Sequence, residues 1–263
     1  MTVTHADTAP SDAPKKKGGA AHETVEIIKT VLWALGIALV LRVLLFQPFT
    51  IPSASMEPTL FEGDYIIVSK WSYGYSRHSI PFSPPVMSGR LLENPPERGD
   101  IAVFKLPRDD RTDYIKRIVG LPGDRIQVRG GVLYVNDRAV RRETLKPDVE
   151  RTPYGGTAEV PRVREILEDG RSFITYDRQP AGEVDDTGVY VVPDGHYFAM
   201  GDNRDNSVDS RYPEEFGVGF VSSENLVGKA ELILLSWTPE ASIFKPWTWV
   251  TELRPSRFFT RLR

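Results

Sequence analysis

The stretch DRIQVRGGVLYVNDRAV, residues 124–140, indicates which kind of fold this chain adopts. It contains two short runs rich in β-branched and aromatic residues, IQV and VLYV, with an Arg-Gly-Gly step between them. Two such runs on either side of a glycine-containing step are typical of a β-hairpin, because glycine adopts the backbone angles of a tight turn. The stretch therefore predicts two antiparallel strands joined near Gly130 and Gly131.

Seven further segments around this hairpin have the same character. They are short, rich in β-branched or aromatic residues, and bounded by Gly, Pro or Asp. They are DYIIVSKW (64–71), DIAVFKL (100–106), YIKRIVG (114–120), RSFITYD (171–177), GVYVVP (188–193), HYFAMGD (196–202) and KAELILLSW (229–237). No amphipathic helical pattern of convincing length follows Phe46. We therefore expect a mainly antiparallel β chain, with a long proline-rich loop at 72–98 and a charged, loop-rich excursion at 138–190.

The segment IIKTVLWALGIALVLRVLLF, residues 27–46, has the length of a membrane span. About 20 apolar residues in a helix cross a hydrocarbon layer of about 30 Å. Lys29 and Arg42 lie near its ends, where long side chains can reach the interface. A buried helix of a soluble domain would normally show a polar face, and a cleavable signal peptide has a shorter apolar run. We therefore favour an uncleaved transmembrane anchor at residues 25–46.

The residues before the anchor carry no periodic apolar pattern. Residues 1–24 are rich in Ala, Pro, Asp, Gly and Lys, so we expect a disordered tail. Its three consecutive lysines at 15–17 precede the span. The positive-inside rule then predicts an N-terminus in the cytoplasm and a remainder on the outer, periplasmic side of the inner membrane.

Composition excludes several function classes. The 263 residues include 40% hydrophobic residues, enough for one large or two modest domains with a real core. A net charge of −3 argues against a nucleic-acid partner, which usually requires a basic surface. The absence of cysteine excludes disulfides, thiolate metal ligands and a cysteine nucleophile. A catalytic histidine would have to be His78 or His196, since the other two lie near the N-terminus.

The first candidate site is IPSASMEPTL, residues 51–60. Ser53 and Ser55 flank a single alanine just after the apolar run, and small residues in that spacing are typical of a signal-peptide cleavage site. The segment is therefore either a site that is cut or a site that cuts. A simple turn is a further interpretation, because serine and proline are common in turns.

The second candidate is Lys116 within YIKRIVG. Side chains alternate between the faces of a strand, so Tyr114, Lys116 and Ile118 share one face. A lysine among apolar neighbours can be desolvated, which lowers its pKa and makes it a potential general base. The alternative is a lysine at a strand edge whose amine reaches water.

The third candidate is GDNRDNSVDSR, residues 201–211, a dense polar run directly after an apolar strand. A calcium loop that starts at Asn203 fails, because Val208 stands at the position where such a loop needs glycine. A solvated loop without function and a buried polar network that supports a catalytic group remain as interpretations.

Together these motifs resemble a known family. The chain has IPSASMEPTL, RGDIAVFKLP, YIKRIVGLPGD and GDNRDNSVDSR in that order after an N-terminal span. This order resembles the type I signal peptidases, membrane-anchored serine endopeptidases that remove signal peptides from exported proteins. The resemblance covers nearly all of the chain from residue 25 onward. Ala54 stands where the family usually has glycine, a difference that matters only if the backbone needs a positive φ there.

The resemblance implies a role for individual residues. Ser55 would be the nucleophile and Lys116 the general base, since a neutral amine can accept the hydroxyl proton without histidine. The oxyanion hole would consist of the Ser55 backbone N–H and the Ser53 hydroxyl. The supporting residues would be Ser207, which orients the lysine amine, and the pairs Asp209–Arg211 and Asp202–Arg117.

The resemblance also implies how substrate binds. Shallow apolar pockets would accept small residues at substrate positions −1 and −3, and a strand edge would hold the extended substrate by main-chain hydrogen bonds. The pocket residues would be Phe49, Ile51, Pro52, Met56, Leu60, Tyr114 and Ile115. The partners would be signal-peptide-bearing pre-proteins and membrane lipids, with the protein export channel as a further candidate. No metal, other cofactor or nucleic acid is implied.

The implied architecture has two β domains after the transmembrane helix. A catalytic β domain would comprise residues 47–124 and 194–263, and an inserted second β domain would comprise residues 125–193. The C-terminal segment 244–263 combines tryptophans and phenylalanines with five basic residues, a composition that suits the lipid headgroup layer. We expect that deletion of residues 254–263 weakens binding of the soluble domain to anionic vesicles. The alternative is that the tryptophans pack on the β core.

The sequence leaves three alternative functions, each separated from a signal peptidase by one feature. A Ser–Lys self-cleaving repressor would lack the membrane span and carry a DNA-binding helix-turn-helix, which the sequence does not show. A histidine-dependent serine hydrolase would use His196. A membrane-tethered β domain that only binds partners would not require Ser55 and Lys116 to approach each other. A distance of about 3 Å between Ser55 Oγ and Lys116 Nζ would favour the enzyme.

Overall fold

The computed structural model describes residues 19–151, 157–179, 181–241 and 244–262. A single long helix, α1, spans Gly19–Leu44. Among the described residues, its portion His22–Leu44 is the one helix long and apolar enough to cross a membrane. The helix begins before the predicted anchor boundary at residue 25, and the predicted tail lies outside the described residues up to residue 18.

Fifteen strands and one short helix follow in the described part of the chain. They are β1 (Phe46–Thr50), β2 (Asp64–Ser69), β3 (Ile101–Lys105), β4 (Asp113–Gly120), β5 (Arg125–Arg129), β6 (Val132–Val135), β7 (Arg138–Ala139), β8 (Arg141–Arg151), β9 (Thr157–Ile166), β10 (Ser172–Tyr176), β11 (Tyr190–Val191), β12 (His196–Met200), β13 (Val221–Ser222), β14 (Leu226–Ser236), α2 (Thr248–Thr251) and β15 (Thr260–Arg261). The expected mainly β chain behind an apolar N-terminal helix is confirmed.

The strands form three antiparallel sheets. The largest has the order β1-β2-β14-β3-β4-β12-β13, with β15 paired to β14. Strands from the middle of the chain form a three-stranded sheet, β10-β9-β8, and a four-stranded sheet, β11-β5-β6-β7. One buried cluster joins Val119 and Phe198 of the large sheet to Ile126 and Leu133 of the four-stranded sheet. The division into a catalytic domain and an inserted domain remains a prediction.

The hairpin expected at residues 124–140 is present. Strands β5 and β6 pair directly, with Arg129 opposite Val132. Gly130 and Gly131 connect them with φ values of +50° and +73°. L-residues with a side chain rarely adopt such angles, which explains why two glycines stand at this turn.

The expectation of a loop-rich segment at 138–190 is wrong for much of its length. Strands β8 and β9 form a long two-stranded ribbon there. Their charged residues pair across the ribbon, with Arg162 Nη1 at 3.0 Å from Asp148 Oδ1 and Arg164 Nη1 at 3.2 Å from Glu143 Oε2. Val160 lies in the core. Cross-strand ion pairs satisfy the charges that made this segment look like loop.

The core fixes the segment that carries the first serine motif. Ile51, Met56 and Leu60 belong to one buried cluster together with Ile66 and Val68 of β2. Burying each such side chain stabilises the fold by roughly 1.5–3 kcal/mol. The turn between Ile51 and Leu60 is therefore attached to the sheet at both ends.

Candidate active site

Ser55 lies in a single 3-10 turn, Ala54–Met56. Its side chain is nearly buried, while Met56 behind it is fully buried. Ala54 does not have a positive φ, so an alanine fits where the family usually has glycine. The turn is therefore a compact and well-packed support for the Ser55 hydroxyl.

Asn203 holds the carbonyl side of this turn. Its backbone N–H donates to the Ser55 carbonyl at 3.2 Å, and its side-chain amide Nδ2 donates to the Ala54 carbonyl at 3.0 Å. Asn203 is fully buried. The sequence does not single out Asn203, although this residue lies in the GDNRDNSVDSR motif, whose polar density is the only local signal for it.

Lys116 reaches Ser55 from strand β4. Its Nζ lies 2.6 Å from Ser55 Oγ, and its side chain is 4% exposed. The amine also lies 5.5 Å from the centre of the Tyr114 ring. Burial lowers the pKa of Lys116 from 10.5 to about 8, although the nearby carboxylates of Asp209 and Asp202 raise it. The geometry and the lowered pKa allow proton transfer between the two side chains.

Ser53 lies beside the same hydroxyl. Its Oγ is 3.4 Å from Ser55 Oγ, its side chain is exposed, and its backbone is extended. An exposed hydroxyl next to the turn is able to donate to a group that approaches Ser55 from solvent.

Ser207 lies beside the Ser55 turn, but among the described residues its side chain makes no hydrogen bond with Ser55 or Lys116. Its hydroxyl is buried and makes no hydrogen bond of ordinary geometry in the part of the chain that the structure describes, although its side chain helps to lower the pKa of Asp209. A Cβ added at Gly201 would lie 2.2 Å from Ser207 Oγ and 2.5 Å from the Ser55 carbonyl oxygen. Ser207 therefore packs next to the Ser55 turn, while its role in orienting Lys116 remains a prediction.

Arg117 points to the opposite face of β4 and pairs with Asp202. Its Nε lies 2.8 Å from Asp202 Oδ1, its Nη2 lies 2.6 Å from Asp202 Oδ2, and both side chains are buried. Thr59 Oγ1 also donates to Asp202 Oδ2 at 2.6 Å. The Arg117 guanidinium stacks on Phe173 of β10 at 4.2 Å. This bidentate pair joins the start of the GDNRDNSVDSR loop to the strand of Lys116.

Asp209 and Arg211 form a second buried pair. The Arg211 Nε and Nη2 groups donate to the two Asp209 oxygens, each at 2.9 Å. The Gly201 N–H donates to Asp209 Oδ2 at 2.9 Å as well. Burial alone would raise the pKa of Asp209, but Arg211 outweighs it and holds that pKa below its ordinary value. Asp209 is therefore ionised and folds the loop back on itself.

A third buried pair was not foreseen. Glu165 of β9 accepts two hydrogen bonds from Arg204, at 2.6 Å and 2.7 Å, and both side chains are buried. Arg204 Nε also donates to the Gly201 carbonyl at 3.3 Å. The sequence offers no signal for Glu165, because the pattern of residues 138–190 predicts a loop-rich segment rather than a strand.

The predicted pocket residues differ in their exposure. Ile51, Met56 and Leu60 are buried in the core, so they support the Ser55 turn from behind. Pro52 is exposed, and Phe49, Tyr114 and Ile115 are half-buried. These four retain surface that a substrate could touch, and the pocket roles of all seven remain predictions.

Strand β4 is unpaired along part of one edge. Strand β12 pairs with β4 only from Arg117 to Gly120, whereas β3 pairs with it from Asp113 to Arg117. No other described strand covers the first residues of β4 on the side away from β3. The backbone just before Lys116 is thus available to pair with an added strand.

His196 does not take part in this arrangement. Its Nδ1 lies 2.9 Å from the Asp194 carbonyl oxygen. Within the described ranges it makes no hydrogen bond with a serine hydroxyl, so the structure offers no support for a His196-dependent hydrolase.

A serine hydroxyl in contact with a buried lysine amine, carried on an antiparallel β fold, defines a class of enzymes: the serine hydrolases that use lysine in place of histidine. Comparison with known proteins then identifies the family. The model of the family described as "Signal peptidase, peptidase S26" matches residues 24–237. The chain belongs to this family.

Curated relatives agree with this assignment. A Signal peptidase I of Rickettsia typhi is 40% identical over 247 residues, covering 86% of this chain and 89% of the relative. A Signal peptidase I of Rickettsia canadensis is 37% identical over 256 residues, covering 91% of this chain and 94% of the relative. A solved signal peptidase I from Enterococcus faecalis V583 is 26% identical and covers 52% of this chain and 97% of its own, with a TM-score of 0.30.

Proposed function

We propose that this chain is a membrane-anchored serine endopeptidase that cleaves signal peptides from pre-proteins with Ser55 as nucleophile and Lys116 as general base. The observation that carries the proposal is the 2.6 Å separation of Ser55 Oγ and Lys116 Nζ in a buried site. Family membership and relatives named Signal peptidase I support the choice of substrate. A partner-binding domain would have no need for this contact.

The proposed reaction has two steps. Neutral Lys116 accepts the hydroxyl proton as Ser55 Oγ attacks the scissile carbonyl carbon, and the amine then returns that proton to the leaving α-amino group. An ester now links Ser55 to the signal peptide. Lys116 accepts a proton from water, whose oxygen attacks the ester carbonyl, and the Ser55 oxygen leaves with the proton. The Ser55 N–H and the Ser53 hydroxyl donate to the oxyanion in both steps.

The buried pairs around the dyad serve to hold its geometry. Asp202 and Arg117 connect the polar loop to β4, so they set the position of Lys116 relative to Ser55. Asp209 and Arg211 shape the part of the loop that carries Ser207. We assign Ser207 the role of accepting a hydrogen bond from the Lys116 amine once substrate is bound, since its buried hydroxyl lies beside the Ser55 turn.

The substrate binds as an extended strand. The unpaired edge of β4 before Lys116 offers main-chain groups to the residues that precede the scissile bond. Phe49, Tyr114 and Ile115, each half-buried, and exposed Pro52 would form shallow apolar pockets for small side chains. Ala-x-Ala sites are therefore the expected substrates.

The location follows from the helix and the charges before it. Helix α1 would anchor the chain in the cytoplasmic membrane, with the N-terminus in the cytoplasm and the β sheets on the outer side. Phe244, Trp247 and Trp249 are exposed, which supports a contact of the C-terminal segment with membrane lipids. Arg263 of that segment lies outside the described residues. The protein export channel is a further partner of this proposal.

The test is cleavage of a pre-protein with an Ala-x-Ala site by the purified full chain in detergent. Ser55→Ala should lower kcat by at least about 1,000-fold, because removal of a serine nucleophile costs roughly 10⁶-fold in a comparable hydrolase. The exposed residue Ser256 provides the control, because Ser256→Ala should cleave like the parent chain. His196→Ala should also retain activity. Cleavage by Ser55→Ala at more than a tenth of the parent rate would refute the proposal.

A further inference from the structure

The loop between β2 and β3 exposes a group of apolar side chains. We call residues 76–92 the apolar loop. Phe82 at its tip is fully exposed, and Leu92, Val86 and Leu91 are 82%, 68% and 61% exposed. A concentration of exposed apolar side chains in one loop of a folded protein indicates a site that another surface covers.

The apolar loop presents no charge to solvent from residue 78 onward, whereas Arg77 at its base is partly exposed and pairs with Asp110. Residues 78–92 contain neither Asp nor Glu, and their one arginine is Arg90. Arg90 turns inward, where it donates to the carbonyls of Tyr73, Gly74, Ser223 and Leu226 at 2.7–3.1 Å. Burial lowers the pKa of His78, so this side chain is neutral near pH 7. The tip therefore has the composition of a surface that leaves water.

Internal hydrogen bonds hold the apolar loop in one conformation. Tyr75 and Leu91 exchange backbone hydrogen bonds at 2.9 Å and 2.8 Å across its base. Ser76 and Ser79 cap one another in a short 3-10 turn. His78 Nδ1 lies 2.9 Å from Ser83 Oγ, and Ser83 has a φ of +47°. These contacts hold the base and the first turn of the loop, with the apolar side chains exposed.

The apolar loop begins beside the residues at which α1 ends. The Tyr75 hydroxyl donates to the Leu44 carbonyl at 2.7 Å, and the Lys70 N–H donates to the Leu45 carbonyl at 3.0 Å. The rings of Phe46 and Trp71 meet at 4.5 Å, and both rings remain about half exposed. The end of α1 is the point at which a membrane-anchored chain leaves the lipid.

We propose that the apolar loop inserts into the lipid layer next to the anchor, with Phe82 and Leu92 at the boundary between headgroups and acyl chains. An uncharged apolar surface beside the end of a membrane span fits the interface of a bilayer. A lipid layer is favoured over a protein partner, because a chain anchored by α1 has the lipid layer at the base of this loop without any further binding event. This inference rests on the proposed anchoring of α1 and is independent of the catalytic mechanism.

The experiment uses the absence of cysteine in the native chain. Phe82→Cys is introduced into the full chain, labelled with a polarity-sensitive fluorophore, and reconstituted in vesicles of phosphatidylcholine and phosphatidylglycerol. We expect blue-shifted emission that is quenched at least threefold more strongly by spin-labelled lipid than by aqueous iodide. Glu168→Cys, exposed in the turn after β9, is the control and should show the opposite preference.

Two outcomes would overturn the inference. Equal quenching by iodide at positions 82 and 168 would leave the loop in water. Protection from iodide without quenching by lipid would mean that protein covers the loop. Because the vesicles contain only this chain, that protein would be the chain itself or a second copy of it. Leu92→Cys repeats the measurement in case Phe82→Cys folds poorly. The same labelling on a Ser55→Ala background separates this question from catalysis, because loop insertion should persist in a chain that cannot cleave.

Discussion

Replacement of Lys116 by methionine tests the mechanism through both activity and stability. Burial lowers the pKa of Lys116 to about 8. At that pKa about one amine in ten is neutral at pH 7, compared with about one in 2,500 for a lysine at its reference pKa. The kcat/KM of the parent chain should therefore rise roughly tenfold per pH unit between pH 6 and pH 7.5 and level off above about pH 8.

The folded chain should be less stable at pH values where Lys116 is charged than at pH values where it is neutral. The pKa falls from 10.5 to about 8, a difference of about 2.5 units, and each unit corresponds to about 1.36 kcal/mol. Below pH 8 the lysine is charged in both states, and the buried charge costs the folded state about 3 kcal/mol. From pH 8 to pH 10.5 the unfolded chain binds more protons, so stability rises with pH until the cost disappears.

Lys116→Met should therefore be inactive and more stable than the parent by up to about 3 kcal/mol at pH 6, with the gain lost by pH 10.5. Lys116→Arg should be inactive at every pH, because guanidinium stays charged. Pre-protein cleavage in detergent from pH 6 to 10, and urea unfolding of the same samples, measure the two effects.

A second buried lysine provides the matched control for this experiment. Burial lowers the pKa of Lys70 to about 8 as well, but its amine donates to the Ser79 carbonyl rather than to a candidate nucleophile. Lys70→Met should retain the parent activity and its pH profile. The Ser–Lys mechanism is refuted if Lys116→Met cleaves at more than a hundredth of the parent rate, or if the parent profile levels off near pH 6.5, the range of histidine.

Three further changes test the buried supports of the dyad. Asp202→Ala leaves the buried arginine charge without its carboxylate partner and should lower the free energy of unfolding by about 3–5 kcal/mol in urea, whereas an unchanged midpoint would mean that the pair contributes nothing. Gly201→Ala would place a methyl group 2.2 Å from a buried serine hydroxyl and should lower kcat at least tenfold. Gly188→Ala is the control, because open space surrounds that glycine and kcat should not change. Equal rates for the two variants would contradict this packing argument. Glu165→Gln should lower stability by about 3–5 kcal/mol and slow cleavage, while Glu168→Gln, in an exposed pair, should do neither; matching melting curves for the two would disprove the role of the buried pair.

The structure also changes how the C-terminal segment should be tested. Arg257 Nη2 lies 2.5 Å from the buried carboxylate of Asp64, and β15 pairs with β14. Deletion of residues 254–263 would remove both contacts, so weaker vesicle binding after the deletion would not distinguish lost lipid contacts from a damaged fold. Substitution of the exposed Trp247 by serine in the domain that follows α1 leaves both contacts in place, so weaker binding of that domain to anionic vesicles would report a lipid contact.

Local sequence patterns determined much of the fold. The apolar run before residue 46, the Gly130–Gly131 step and the short β-branched segments each depend on neighbouring residues, so their patterns predict a helix, a hairpin and strands without any knowledge of packing. The same alternation placed Lys116 on one face of its strand with Tyr114. Strands β8 and β9 were missed, because their charges are satisfied only by partners on the opposite strand.

Only the tertiary structure decided how the candidate site is assembled. Ser55 and Lys116 are 61 residues apart in sequence, and their contact depends on how the sheet and the buried turn pack together. The motif that contains Asn203 is visible in the sequence, but the hydrogen bond from the Asn203 side chain to the Ser55 turn is not. Glu165 carried no local signal at all. Such contacts join segments that are distant in the chain, and a pattern of neighbouring residues contains no information about which distant group will satisfy a buried charge or carbonyl.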